Sequence, residues 1–297
     1  MLSGCSDLGF CPGLAPRRPS LPSVLASALL GLTLAAAPSR WTDLDEPGRA
    51  SAMAELRTLS LAGRLLRASE RFLGTPYGTS PLGEGEGVDA DPRLRWDRVD
   101  CVTMVEESMA VALAVAPSGL LEVLDHIRYR NGVPTYATRN HLMEAGWLQA
   151  NAEVGFVRDI TQQVGGRDAV PGVKLLADGA WDSELGRSLA LPPAARLTGA
   201  FAFGLLPVDR VLLHAAAIPD GALLLVVRED GADRVTRVSH LGLVVQREGH
   251  TYLRHATTRG PAEVVDEELG HFLAYHRTLP WKVVGVSLWE VRDPRAP

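Results

Sequence analysis

"RVSHLGLVVQREGHTYLRHATT", Arg237 to Thr258, reads as two strands that turn at Glu248 and Gly249. Apolar and β-branched residues flank a glycine-bearing pair, which is the local signature of a hairpin. A two- or four-residue loop centred on Glu248 and Gly249 pairs Gln246 with Thr251 and Gly242 with His255. His240 lies two residues from Gly242, so His240 and His255 fall on one sheet face as diagonal neighbours.

Further strands flank this hairpin: "ALLLVVRED" (222–230) before it and "KVVGVSLWEV" (282–291) after it. The earlier chain is helical in pattern. "SAMAELRTLSLAGRLLRASERFLG" carries Met53, Leu56, Leu59, Leu65, Leu66 and Phe72 at the spacing of one amphipathic helix or two short ones. "GTPYGTSPLGEGEGVDADP" is loop by its glycines and prolines. "GLLEVLDHIRY" predicts a helix, and "ATRNHLMEAGWLQAN" a short one. Residues 165–207 are rich in Gly, Pro and Ala with poor periodicity, and predict a long surface excursion. Helices first and strands afterwards give an α+β fold with an antiparallel sheet. Arg40 to Pro297 reads as one domain.

The chemistry starts at "RWDRVDCVTMVEESMAVALAV", Arg95 to Val115. Val102, Val105, Met109 and Leu113 repeat at helical spacing, Asp100 is a good N-cap, and Cys101 is the first helical residue. Free backbone N–H groups at a helix start favour a thiolate there, and the same groups can hold an oxyanion. A nucleophilic thiol needs a base, and the paired strand histidines His240 and His255 supply the candidates. His126, His141, His214, His271 and His276 read as ordinary structural or surface histidines.

The thiol's setting depends on the N-terminus. Arg17 and Arg18 precede an apolar run from Leu21 to Ala37 that closes on three alanines, the pattern of a signal peptide. Pro22, Ser23, Ser27 and Gly31 interrupt the run and shorten it for a membrane span. The expectation is a leader over residues 1–37, export to the periplasm or cell envelope, and no integral span afterwards. Cleavage there removes Cys5 and Cys11 and leaves Cys101 as the one cysteine, either an inert packed residue or a reactive group. With 46% hydrophobic and 22% charged residues the chain has the make-up of a globular protein. Its net charge of -5, with basic residues dispersed along the sequence, excludes a nucleic-acid footprint.

Five blocks in this order, "RFLGTPYG", "RVDCVTMVEESMAVAL", "TRNHLMEAGW", "VSHLGLVV" and "LRHATT", resemble the bacterial N-acetylmuramoyl-L-alanine amidase-like family, relatives of the NlpC-type, papain-like cell-wall peptidases. The resemblance runs from about Arg71 to about Thr258. It implies a papain-like core, with the helix-starting cysteine packed against an antiparallel sheet, and a peptidoglycan or muropeptide substrate. It also implies Cys101 as nucleophile, His240 as base and later acid, His255 as the residue orienting His240, and Tyr77 near the oxyanion. Asp100, Asn140 and His141, with Arg139 and Trp147, are further candidates for the substrate cleft. Val102 and Thr103 stand where NlpC-type peptidases carry serine and glycine, and the loop from Tyr77 to Cys101 is longer. Both departures bear on which amide bond is cut.

The leading expectation is an exported cysteine hydrolase of peptidoglycan amide bonds that needs no cofactor or metal. One rival is a zinc amidase using Cys101, His240 and His255 as ligands. Another is a non-catalytic envelope protein that binds wall peptides. A thioester-based transferase would use the same three residues.

Overall fold

The computed structural model describes residues 38–114 and 116–295. The expected leader, with Cys5 and Cys11, lies outside the described residues. Among those residues no helix is long and apolar enough to cross a membrane.

Five helices come first: α1 (Glu46–Leu56), α2 (Leu61–Glu70), α3 (Cys101–Leu113), α4 (Leu120–Arg128) and α5 (Leu148–Glu153), the last entered through a π-helical turn, Met143–Trp147. The long helical pattern at 51–74 is therefore split in two. Ser60 caps the second piece by accepting from the Gly63 amide. Then come β1 (Val157–Asp159), α6 (Thr161–Gly165), β2 (Val170–Leu176), α7 (Glu184–Ser188), β3 (Gly199–Pro207) and α8 (Val211–His214). The C-terminal third holds β4 (Leu223–Arg228), β5 (Val238–Arg247), β6 (His250–Ala256), β7 (Val264–Glu268), α9 (Leu269–His276) and β8 (Val283–Val291).

The strands form one antiparallel sheet in the order β2-β3-β8-β4-β5-β6-β7, with β1 also paired to β8. Central β4 shows why a continuous apolar run marks a strand covered on both sides. Leu223, Leu225 and Val227 enter the core built with α1 to α5, whereas Leu224 and Val226 enter a second core with α6, α8 and α9.

The hairpin closes as its residues predict. Gln246 pairs with Thr251, and Glu248 (φ 53°) and Gly249 (φ 79°) form a two-residue turn with both φ positive. Such turns match the twist of the strands they join, and glycine takes the left-handed position without steric cost.

The expected surface excursion over 165–207 is corrected: it contains β2 and β3, at one edge of the sheet. The pattern was hidden because β2 is inverted. Val173 and Leu175 face outward, while Gly172, Lys174 and Leu176 face inward. Lys174 is fully buried and ion-paired to Asp230 at 2.6 Å, which is what makes an inward lysine tolerable.

Helix α3 is central, with every residue from Thr103 to Leu113 buried, polar ones included. Glu106 is paired with Arg128 at 2.6 Å and accepts from the Trp147 indole at 2.9 Å, and Glu107 accepts from the Arg95 amide at 3.1 Å. Trp147 is thus core and does not line the cleft.

Candidate active site

Asp100 caps α3 as its sequence position predicts. One carboxylate oxygen accepts from the Val102 amide at 3.0 Å and the Thr103 amide at 2.7 Å, and the Thr103 hydroxyl accepts from the Asp100 amide at 2.9 Å. This reciprocal cap is worth about 1 kcal/mol and fixes the first turn. It also occupies two of the amides that an oxyanion would need. Of the first helical amides, that of Cys101 remains outside the cap.

Cys101 lies on the wall of a cleft of about 230 Å³ shared with Tyr77, Ser239, His240, His255, Arg259, Tyr275, His276 and Trp281. The thiol arrives with the helices on one face of the sheet. Leu241 and Ala256, which alternate with the two histidines along their strands, join the core beneath α3. The rings of His240 and His255 pack toward α9 instead, with centroids 5.7 and 5.1 Å from that of Phe272. Thiol and imidazoles therefore meet at one cleft from different sides.

The two rings touch: His240 Nε2 lies 2.7 Å from His255 Nδ1, and His255 Nε2 lies 3.2 Å from Glu267 Oε2. Glu267 is also bound by the Arg259 guanidinium. A carboxylate only accepts, so His255 donates from Nε2 to Glu267. With one proton per ring, His255 Nδ1 then accepts from His240 Nε2–H, which leaves a lone pair on His240 Nδ1. Burial works to raise the Glu267 carboxyl, but the hydrogen bonds from His255 and Arg259 outweigh it, and its pKa is lowered.

The electrostatics correct one expectation. Position at the helix start does not leave the resting thiol acidic. Burial first, and the Asp100 charge second, push Cys101 up to about 12, against the smaller pull of the Leu241, Cys101 and Val102 amides. Loss of hydration costs a thiolate more here than the helix terminus returns. His240 is driven well below the usual histidine range by burial, reinforced by His255, His276 and Arg259. At neutral pH the resting site holds a neutral thiol and a neutral His240, and no hydrogen bond joins them among the described residues. Tyr77 is pushed up to about 12 by burial and by the neighbouring Cys101 and Asp100, so its hydroxyl remains a donor.

The other expected residues separate from this cleft. Asn140 and His141 line a neighbouring cleft of about 270 Å³ with Asp100, Val102, Arg128 and Arg139. Cys101 thus faces one cleft while the residues on either side of it face the other. His141 is turned away from catalytic duty, with Nε2 2.7 Å from the Tyr136 carbonyl and a pKa lowered to about 4, chiefly by burial.

Three residues in or beside the Cys101 cleft escape a reading of the sequence alone: Arg259 and His276, which line it, and Glu267, which binds His255 from behind. Glu267 sits in "VVDEEL", where nothing separates it from its acidic neighbours. It meets His255 only because β7 pairs with β6, setting His255 opposite Val265. His276, read as an ordinary histidine, closes α9 one turn after Phe272, and its ring centroid is 5.8 Å from that of His240. Its Nδ1 is buried without a partner, and burial lowers its pKa to about 4. The one available signal was the Phe272–His276 spacing, which puts both on one helix face.

Among the described residues, no group of three His, Cys, Asp or Glu side chains could hold a metal ion. At the Cys101 cleft the imidazole nitrogens are engaged with protein partners. His240 Nε2 and His255 Nδ1 are spent on each other, and His255 Nε2 on Glu267.

Solved structures with the same fold include a Legionella pneumophila protein of the DUF1460 family. It is 25% identical, with TM-score 0.72, over 82% of this chain and 93% of that one. A Bacteroides uniformis N-acetylmuramoyl-L-alanine amidase is 23% identical, with TM-score 0.64, over 78% of this chain and 99% of that one. A Bacteroides fragilis protein provisionally named a xylanase is also 23% identical, with TM-score 0.62, over 76% and 100%. No curated protein matches the chain. The model of the N-acetylmuramoyl-L-alanine amidase-like family matches residues 67–279, a stretch that takes in Tyr77, Cys101, His240, His255, Arg259, Glu267 and His276. On that match, over most of its length, the chain belongs to the N-acetylmuramoyl-L-alanine amidase-like family.

Proposed function

We propose that this protein is an exported cysteine hydrolase that cleaves amide bonds in peptidoglycan, as an N-acetylmuramoyl-L-alanine amidase or a stem-peptide endopeptidase, with a papain-like arrangement of Cys101, His240 and His255. The observation that carries the reading is one cleft holding a helix-starting thiol beside a hydrogen-bonded His240–His255–Glu267 series. Family membership and the amidase name of a structural neighbour support the substrate class. The apolar run before Pro38 supports export.

The chemistry follows from the resting protonation states. Because both groups are neutral, His240 acts as a general base: its free Nδ1 takes the thiol proton as the sulfur attacks the amide carbonyl carbon. Proton transfer shifts positive charge onto His240, and His255, held by Glu267, stabilises that charge and fixes the ring. The Cys101 amide and the Tyr77 hydroxyl are the donors for the tetrahedral oxyanion. His240 then gives its proton to the departing amine, leaving a thioester on Cys101. A water, deprotonated by the same nitrogen, hydrolyses the thioester and restores the thiol. The neighbouring cleft lined by Asn140 and Arg139 offers room for the second side of the scissile bond.

Mass spectrometry of sacculi digested by the protein tests this reading. Expected products are fragments with new amine termini, from L-alanine or from a stem-peptide residue. Cleavage of glycosidic bonds alone, or no cleavage, would sink it.

A further inference from the structure

One buried side chain outside the cleft governs the strand that carries His240. Glu144 is fully buried in the π-helical turn before α5 and makes no ion pair among the described residues. Its carboxylate is filled instead by the segment entering β5. One oxygen accepts from the Arg237 amide at 2.5 Å and the Val238 amide at 2.8 Å, and the other accepts from the Thr236 hydroxyl at 2.6 Å.

The next residue, Ser239, is a β-bulge. Opposite β4, Val226 pairs with His240 and Val227 with Val238, so Ser239 is passed over. A bulge re-aims the side chains that follow it and leaves local ladder groups to find other partners. Here it puts Val238 and Leu241, three residues apart, on the same core beneath α3. His240, alternating with Leu241 and Leu243, lies on the opposite face, against α9 and His255, directly after the irregularity. A regular strand would keep Val238 and His240 on one face. Glu144 grips the two amides just before the irregularity, and π-helical turns recur where a helix must present one residue out of phase.

We propose that Glu144 is a positioning residue for the reaction, a buried carboxylate that holds the Ser239 bulge in place and so aims the His240 ring into the Cys101 cleft. This inference rests on the Cys101–His240 reading above.

The test uses the full chain with Glu144→Ala, Glu144→Asp and Glu144→Gln, each compared with wild type and His240→Ala. Two readouts are taken: kcat and KM on a soluble muropeptide, and the rate at which iodoacetamide alkylates Cys101 as pH is varied, followed on the Cys101 peptide. Glu144→Ala and the shorter Glu144→Asp should lose kcat by about tenfold or more with KM within about twofold, since an ångström-scale misplacement costs that much. Their alkylation profiles should move toward that of His240→Ala. Glu144→Gln should stay within about threefold of wild type, because the amide oxygen still accepts both backbone N–H groups and its NH2 can donate to Thr236, a neutral exchange of hydrogen bonds. Should Glu144→Ala not fold, Glu144→Asp decides the matter by the same two readouts. Folded Ala and Asp variants with wild-type kcat and alkylation profile would overturn the inference, as would equal losses in Asp and Gln. Full activity in Cys101→Ala or His240→Ala would overturn the Cys101–His240 reading itself, which separates the two failures.

Discussion

His240 Nε2 and His255 Nδ1 stand 2.7 Å apart on neighbouring strands, with ring planes at 89°. That edge-on contact directs one imidazole's proton at the other's lone pair. In the proposed mechanism it leaves His240 Nδ1 with the free lone pair that acts as the base.

The contact makes Glu267 matter at one remove. Glu267→Gln keeps the shape but offers His255 a neutral acceptor or a competing donor, so the relay can settle in the wrong tautomer. Expected is a fall in kcat of roughly 10- to 1000-fold with little change in KM. Steady-state kinetics on a soluble muropeptide check it, and unchanged kcat would remove Glu267 from the site.

A thiol near 12 beside a neutral His240 predicts slow alkylation at neutral pH. The rate of Cys101 modification by iodoacetamide should keep rising with pH beyond pH 9, because only thiolate reacts. A plateau already reached at pH 6 would mean a resting thiolate–imidazolium pair instead.

Buried neutral histidines make the fold sensitive to acid. His276 has a folded-state pKa of about 4, below the usual 6.5. The unfolded chain therefore binds this proton more readily, and the stability His276 contributes is present above pH 6.5 and lost as pH falls toward 4. Between pH 7.5 and 5 the loss is about 2 kcal/mol. Urea denaturation of wild type and His276→Gln at both pH values should show the variant losing less. Equal losses would contradict the assignment.

The Glu106–Arg128 pair has only 4% and 5% of its side-chain surfaces exposed. Arg128→Met leaves a buried carboxylate with the Trp147 indole alone and should cost about 3–5 kcal/mol in urea unfolding. Adding Glu106→Gln should recover most of it, since the uncompensated charge is then gone and the amide oxygen still accepts from the Trp147 indole. Failure of the second substitution to recover stability would show that Arg128 acts through packing.

The hairpin, its register, the Asp100 cap and the antiparallel sheet were legible because each depends on residues within a few positions of one another. Glu248 and Gly249 set the turn, and the turn set the pairing. What escaped depends on distant partners. Lys174 looks like a surface residue until Asp230 is brought to it. Glu267 is one acid among several until β7 docks beside β6. The thiol's acidity escapes for the same reason: the helix start is local and visible, whereas the burial that outweighs it is assembled from Tyr77, β5 and the rest of the cleft.

The proposed thioester forms on the Cys101 sulfur. The most direct measurement is the rate of amide cleavage in purified sacculi by Cys101→Ala beside wild type, with a metal chelator present throughout. Wild type should cleave in the chelator, and Cys101→Ala should fall to background. Cleavage by Cys101→Ala at the wild-type rate, or loss of wild-type cleavage to the chelator, would contradict the thioester.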